Sequence, residues 1–215
     1  MKQKVLLEIY QKLFDYYGPQ HWWPADSILE MMLGAILTQN TSWSNVKKAI
    51  QNLQKNQILS LKSLLEISTE DLARAIQSAG YFNLKAQRLK NLLQYLSQEY
   101  DGDFERMKQK DLMALRKELL SVKGVGPETA DSILLYGLDK NIFVIDQYTY
   151  RVLNRHLLIP EESDYESMQE LMTANLPEEL ALYKEYHALL VKVGNEFCKS
   201  KARCEECPLK GVNGV

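Results

Sequence analysis

The chain has 215 residues, of which 46% are hydrophobic and 25% charged, and its formal net charge is −2. That is the make-up of a globular protein with a real core, in one large or two small domains, and not of a uniformly basic nucleic-acid binder. The longest apolar run, Ile28 to Leu37, contains Glu30 and is too short to span a bilayer, and no basic region followed by an apolar signal core opens the chain. It reads as soluble and intracellular (cytoplasmic), with no membrane partner.

In chain order, Val5, Leu6, Ile9, Tyr10, Leu13, Phe14 and Tyr17 share one helical face, and Gly18-Pro19 ends that helix. An aromatic loop follows, Gln20-His21-Trp22-Trp23-Pro24. Ser27 and Glu30 form a capping box for a central apolar helix to Leu37. The polar stretch Thr38 to Trp43 leads into a helix from Ser44 to Leu53. Ser68-Thr69 caps a helix through Ala79, with Gly80 after it. Asn83 is the expected cap of a helix from Leu84 to Tyr100, Asp101-Gly102-Asp103 is a turn, and Leu112, Leu115 and Leu119 pattern the next helix. Further on, His156 reads as a surface or interdomain residue. Ser163 with Glu166 reads as a capping box for a helix to Asn175, and Pro177 as the start of a helix through His187, a core histidine, to Gly194.

The most informative stretch is Leu119 to Arg151. Lys123-Gly124-Val125-Gly126 turns the chain between two helices, and Pro127 suits the first position of the second, which is expected to run to about Gly137. Glycines before a helix N-terminus make either a plain tight turn or a seat for a phosphate. A strand-like apolar run, Ile142 to Ile145, then delivers Asp146 to the start of another helix. Asp146 reads either as an N-cap or as a carboxylate that works on the sugar beside the held phosphate. A basic face could come from Lys85, Arg88, Lys90, Lys123, Lys192, Lys199, Lys201 and Arg203.

Val122-Lys-Gly-Val-Gly-Pro-Glu-Thr-Ala-Asp131 followed by Val144-Ile-Asp-Gln-Tyr-Thr-Tyr-Arg151 resembles the helix-hairpin-helix and Gly/Pro-Asp signature of the endonuclease III superfamily of DNA glycosylases. Within that superfamily it most resembles the endonuclease-III-like 3-methyladenine enzymes. The resemblance covers most of the chain. It implies Asp146 as the catalytic aspartate and a DNA-backbone grip at Val122 to Thr129, including Lys123, Gly124, Val125, Gly126 and Thr129. Gln39 falls where the family fills the gap left by a flipped base, and Tyr81 where it carries a wedge. Trp22-Trp23-Pro24 matches the pocket-lining loop, and Trp43 a pocket aromatic that is phenylalanine in the family. Aromatic faces suit a cationic base such as N3-methyladenine.

Periodicity with short connections and no alternating strands gives an all-α class. The resemblance implies two helical lobes with the active-site cleft between them: residues 22–134 with the helix-hairpin-helix, and residues 1–21 plus 135–215 with the cysteine-containing loop. It also implies double-stranded DNA with a damaged base as partner and a monomer that needs no cofactor for catalysis.

Two departures bear on the chemistry. Bifunctional relatives carry a lysine two residues after the second hairpin glycine, where it forms a Schiff base. Glu128 stands there, and a carboxylate cannot form an imine. The expected enzyme is therefore monofunctional. Glu128 either lines the base pocket or caps its helix. The alternatives are a bifunctional enzyme for oxidised pyrimidines and a non-catalytic DNA-binding module. The second departure concerns Cys198, Cys204 and Cys207, spaced x5 then x2, which read as a metal site or as free thiols. Many relatives hold a [4Fe-4S] cluster there with four cysteines. The fourth position falls near Asn213, so a full cluster is not expected.

Overall fold

The computed structural model of the protein describes residues 2–214. Twelve α-helices form among them: α1 (Lys2–Tyr17), α2 (Ile28–Leu37), α3 (Trp43–Lys55), α4 (Leu61–Glu66), α5 (Thr69–Ala75), α6 (Phe82–Tyr100), α7 (Phe104–Gln109), α8 (Leu112–Ser121), α9 (Pro127–Ser132), α10 (Gln147–Arg155), α11 (Tyr165–Asn175) and α12 (Leu180–Glu196). No strand occurs among the described residues, and the class is all-α. None of these helices is long and apolar enough to cross a membrane.

The chain divides into two compact units. Residues 23–140 form one; the segment ending at Trp22 and the segment from Asn141 onward form the other. The second junction comes after Lys140, because α9 runs on as a wide π turn over Ile133–Gly137 that packs on α2. Gly137 makes that close approach: a Cβ there would sit 3.1 Å from Met31 Sδ.

In the 23–140 unit α2 is the spine. Every residue of it but Ile28 is buried, against α3, α6, α9 and the π turn. Each large apolar side chain so buried is worth about 1.5–3 kcal/mol. Two buried lysines tie helix ends to this core. Lys85 Nζ donates to Leu37 O (2.7 Å), Ala79 O (2.8 Å) and Thr41 Oγ1 (2.6 Å). Lys90 Nζ donates to Leu64 O, Leu65 O and Ile67 O. Both therefore stabilise carbonyls left open at helix ends. Neither belongs to the basic face expected from the sequence, since their exposures are 1% and 8%. Arg116 clamps α8 to α9 through a two-pronged pair with the fully buried Asp131, at 2.7 and 3.1 Å.

In the other unit α10 lies on α12, and α12 on α1. Gly194 lets them close: a Cβ there would fall 2.4 Å from the Tyr148 ring. Tyr186 OH donates to Leu6 O at 2.7 Å, joining α12 to α1. Residues 142–145 are buried but pair with no strand. Side chains of α11 serve the backbone there instead. Gln169 Nε2 donates to Phe143 O (2.6 Å), and Ile145 N donates to Tyr165 OH (3.4 Å).

Several expected boundaries move. Asp164, not Ser163, caps α11, accepting from Ser167 N at 2.8 Å. Asn83 lies inside α6, whose cap position is Tyr81 in a left-handed conformation. The helix expected from Pro177 begins at Leu180, and the one expected through Ala79 stops at Ala75, followed by a 3-10 turn. His156 is buried, not superficial, with Nδ1 at 3.1 Å from Val212 O.

Candidate active site

The hairpin joins α8 to α9 through residues 122–126. Gly124 has φ +100°, and a Cβ on it would collide with Arg88 Cγ at 2.3 Å, so only glycine fits. Gly126 is exposed, with nothing within 4 Å of a hypothetical Cβ, and Pro127 follows at the first helical position. The loop is fastened from behind. Asn91 Nδ2 donates to Lys123 O (2.9 Å), and Gln39 Nε2 donates to Gly124 O (3.1 Å) and Thr129 Oγ1 (3.0 Å). The Arg88 guanidinium donates to Gln39 Oε1. Gln39, Lys123, Gly124, Val125, Gly126 and Thr129 thus form one assembly. Lys123, Gly126 and Glu128 are exposed on it, whereas Val125 and Thr129 are buried. Tyr81 is 71% exposed and has φ +44°, an uncommon setting for an aromatic residue.

Trp23 meets Trp43 edge-on, with centroids 5.3 Å apart at 89°, and leans on Tyr136 at 5.6 Å. Gly34 of α2 leaves room for its indole, since a Cβ there would be 3.2 Å from Trp23 Nε1. Beside these rings is a cavity of about 390 Å³, lined by Trp23, Pro24 and Trp43 together with Asp26, Glu30, Gln54 and neighbours on α3. Trp22 and Glu128, assigned to the base pocket from the sequence, are not among its lining residues. Glu30 and Gln54, which the sequence reading left out, are. Glu30 Oε2 accepts from Gln54 Nε2 at 3.2 Å. Burial pushes the Glu30 carboxyl above its ordinary value, against the opposing hydrogen bond from Gln54.

Asp146 caps α10. Its Oδ1 accepts from Thr149 N at 2.7 Å. Its Oδ2 lies 3.7 Å from His187 Nε2, and the two side chains are 10% and 6% exposed. Burial lowers the His187 pKa, with the Asp146 charge pulling the other way. The carboxylate is thus held by a backbone N–H on one side and faces an imidazole on the other.

The three cysteines come together around a small cavity with Arg155, His156 and Arg203. Arg155 Nη1 donates to Cys198 Sγ at 3.2 Å, and burial raises the Cys207 thiol. Asn213, at the fourth position of the cluster pattern, turns its amide to His156 O at 2.5 Å. Among the described residues no group of three or more histidine, cysteine, aspartate or glutamate side chains is placed to hold a metal ion. Three thiols and an amide do not match the four thiolates of a [4Fe-4S] cluster.

Residues 33–178, which hold the hairpin, Asp146 and the helices that carry them, match the HhH-GPD superfamily of base excision DNA repair proteins. The chain belongs to this superfamily. It is a DNA glycosylase that binds DNA. A candidate DNA repair glycosylase of Methanocaldococcus jannaschii is 48% identical over 97% of this chain and 96% of its own. The Helicobacter pylori 3-methyladenine DNA glycosylase, solved with 1,N6-ethenoadenine, is 28% identical, with a TM-score of 0.77 over 91% of this chain and 97% of that one. A trapped covalent endonuclease III–DNA intermediate has a TM-score of 0.84 at 19% identity over 99% of this chain, a likeness of fold.

Proposed function

We propose that this HhH-GPD glycosylase is monofunctional and removes alkylated purines, 3-methyladenine foremost, from double-stranded DNA, acting as a monomer without a cofactor. The observation that carries the reading is Glu128, exposed in the first turn of α9 just beyond the hairpin. Lyase chemistry needs an amine nucleophile there, and a carboxylate supplies none. The 3-methyladenine activity named for the similar H. pylori enzyme supports the substrate class.

The hairpin at Lys123, Gly124 and Gly126 grips the backbone. Gln39 and Tyr81 act at the duplex, and the base swings out of the stack. Trp23, Pro24 and Trp43 receive it, with Trp22 serving the same loop. A purine methylated at N3 is cationic and leaves readily. What remains is to stabilise the oxocarbenium-like sugar and to activate water. The Asp146 carboxylate supplies negative charge where positive charge develops, and a base for the water.

The test is base release from methylated duplex DNA, with the products separated and the strands examined for nicks. Free 3-methyladenine from uncut strands is expected. Asp146→Asn should lose several orders of magnitude in rate and keep DNA binding. Borohydride trapping of a covalent complex, or nicking of oxidised-pyrimidine DNA without methylpurine release, would replace this reading with that of a bifunctional enzyme.

A further inference from the structure

The cavity beside Trp23 and Trp43 contains more than aromatic surface. Its volume of about 390 Å³ is in the range of small-molecule sites, and Glu30 reaches it from the first turn of α2. Glu30 is 8% exposed, and among the described residues no lysine or arginine pairs with it. Its hydrogen-bond partner is the Gln54 amide, an uncharged donor. A carboxyl that has lost its water and gained no cation is costly unless something compensates it. The other charges on the cavity are Asp26 and Lys47, both exposed, where solvent and salt screen them. Glu30 is therefore the charge that a bound guest meets in a low-dielectric setting, next to two indoles.

We propose that Glu30, held by Gln54, is the group that makes this cavity select flat cationic heteroaromatic bases over neutral ones. The proposal rests on the reading of the Trp23–Trp43 cavity as the base pocket. Indole faces attract a cation through their quadrupole but also stack on neutral bases, so aromatic walls alone discriminate weakly. A buried carboxylate adds what they lack: it attracts a delocalised positive charge and offers an acceptor to a ring or exocyclic N–H. A neutral base gives it no charge in return. Gln54 and Gln51, on the α3 side of the cavity, add amides able to meet the polar edge of a purine.

The decisive variant is Glu30→Gln, which keeps the shape and the amide contact and removes the charge. Because a carboxylate held in this buried setting costs stability that an amide does not, this variant should unfold at an equal or higher urea concentration than the parent. Release of 3-methyladenine, measured against release of neutral 1,N6-ethenoadenine in the same sequence context, should fall 10- to 100-fold, with ethenoadenine release unchanged or improved. Equal losses on both lesions, or no change in the ratio, would overturn the proposal. A second measurement does not depend on catalysis. Calorimetric titration with N-methylquinolinium, a permanent flat cation, against neutral quinoline at pH 7.5 should show a preference for the cation that Glu30→Gln abolishes. If the parent protein releases no methylpurine yet binds the cation through Glu30, the assigned reaction fails while the cavity's selectivity stands. If it releases methylpurine and Glu30→Gln leaves both ratio and titration untouched, the selectivity fails and the reaction stands.

Discussion

Nε2 of His187 lies 3.7 Å from Oδ2 of Asp146, and neither side chain is more than 10% exposed. With Thr149 N on the other oxygen, the carboxylate has little freedom to turn. If Asp146 meets the developing charge on the sugar, its orientation is part of the rate. Replacing His187 by phenylalanine should lower kcat about tenfold or more, a change of about 1.4 kcal/mol in barrier, and leave KM for damaged DNA unchanged. His187→Gln, which restores a polar group, should recover part of the loss. Unaltered kcat in His187→Phe would show that the contact only fills space.

The two buried histidines also set an acid limit to stability. Burial lowers the pKa of both: His156 with Lys12 adding to the effect and Val212 O opposing it, His187 with Asp146 opposing it. Each therefore binds a proton more weakly folded than unfolded. Below about pH 6.5, the ordinary histidine value, the unfolded chain takes up protons first and stability falls. The urea midpoint should drop between pH 7.5 and 5.5, and the drop should shrink when His156 and His187 are both replaced by glutamine. A parent midpoint flat across that range would contradict the assignment.

Lys85 shows where sequence reading stops. On paper it is one more cation beside Arg88 on an amphipathic helix, and it counts toward a DNA-binding face. In the fold the residue is 1% exposed, and its ammonium closes the ends of two helical segments through Leu37 O and Ala79 O. Desolvation, then the nearby Arg88, pushes its pKa down to about 8. Lys85→Met should cost about 2–4 kcal/mol in unfolding free energy, since buried carbonyls lose their donor, and leave DNA affinity per folded molecule unchanged. Lys123→Ala should do the reverse. A Lys85→Met protein of parental stability would refute the capping role.

What was legible follows the range of the signal. The hairpin, the capping role of Asp146, the helical periodicity and the all-α class rest on local spacing, and the fold contains them. Glu30 and Gln54 were missed because their meeting depends on the packing of α2 against α3, which no spacing reveals. Ser163 lost to Asp164 because both residues satisfy the capping pattern, and only the path of the chain chooses between them. Residues 142–145 have the composition of a strand, but a strand needs a partner, and α11 side chains took that place.

The hairpin glycines separate folding from DNA contact. Gly124 has φ +100° and no space for a Cβ, because the Arg88 side chain that holds Gln39 runs against it. Gly126 has φ −96° and open space around it. Gly124→Ala should therefore destabilise the protein by about 1–3 kcal/mol, through strain and the displaced Arg88, and weaken DNA binding with it. Gly126→Ala should unfold at the parental urea concentration. If a DNA phosphate approaches the backbone at Gly126, as the seat at the start of α9 requires, the added methyl group occupies that approach, and DNA affinity should fall about tenfold with stability intact. Salt titrations separate the causes: a lost phosphate contact reduces the salt dependence of binding, whereas a distorted protein loses affinity without that signature. Parental affinity in Gly126→Ala would move the phosphate seat away from this glycine.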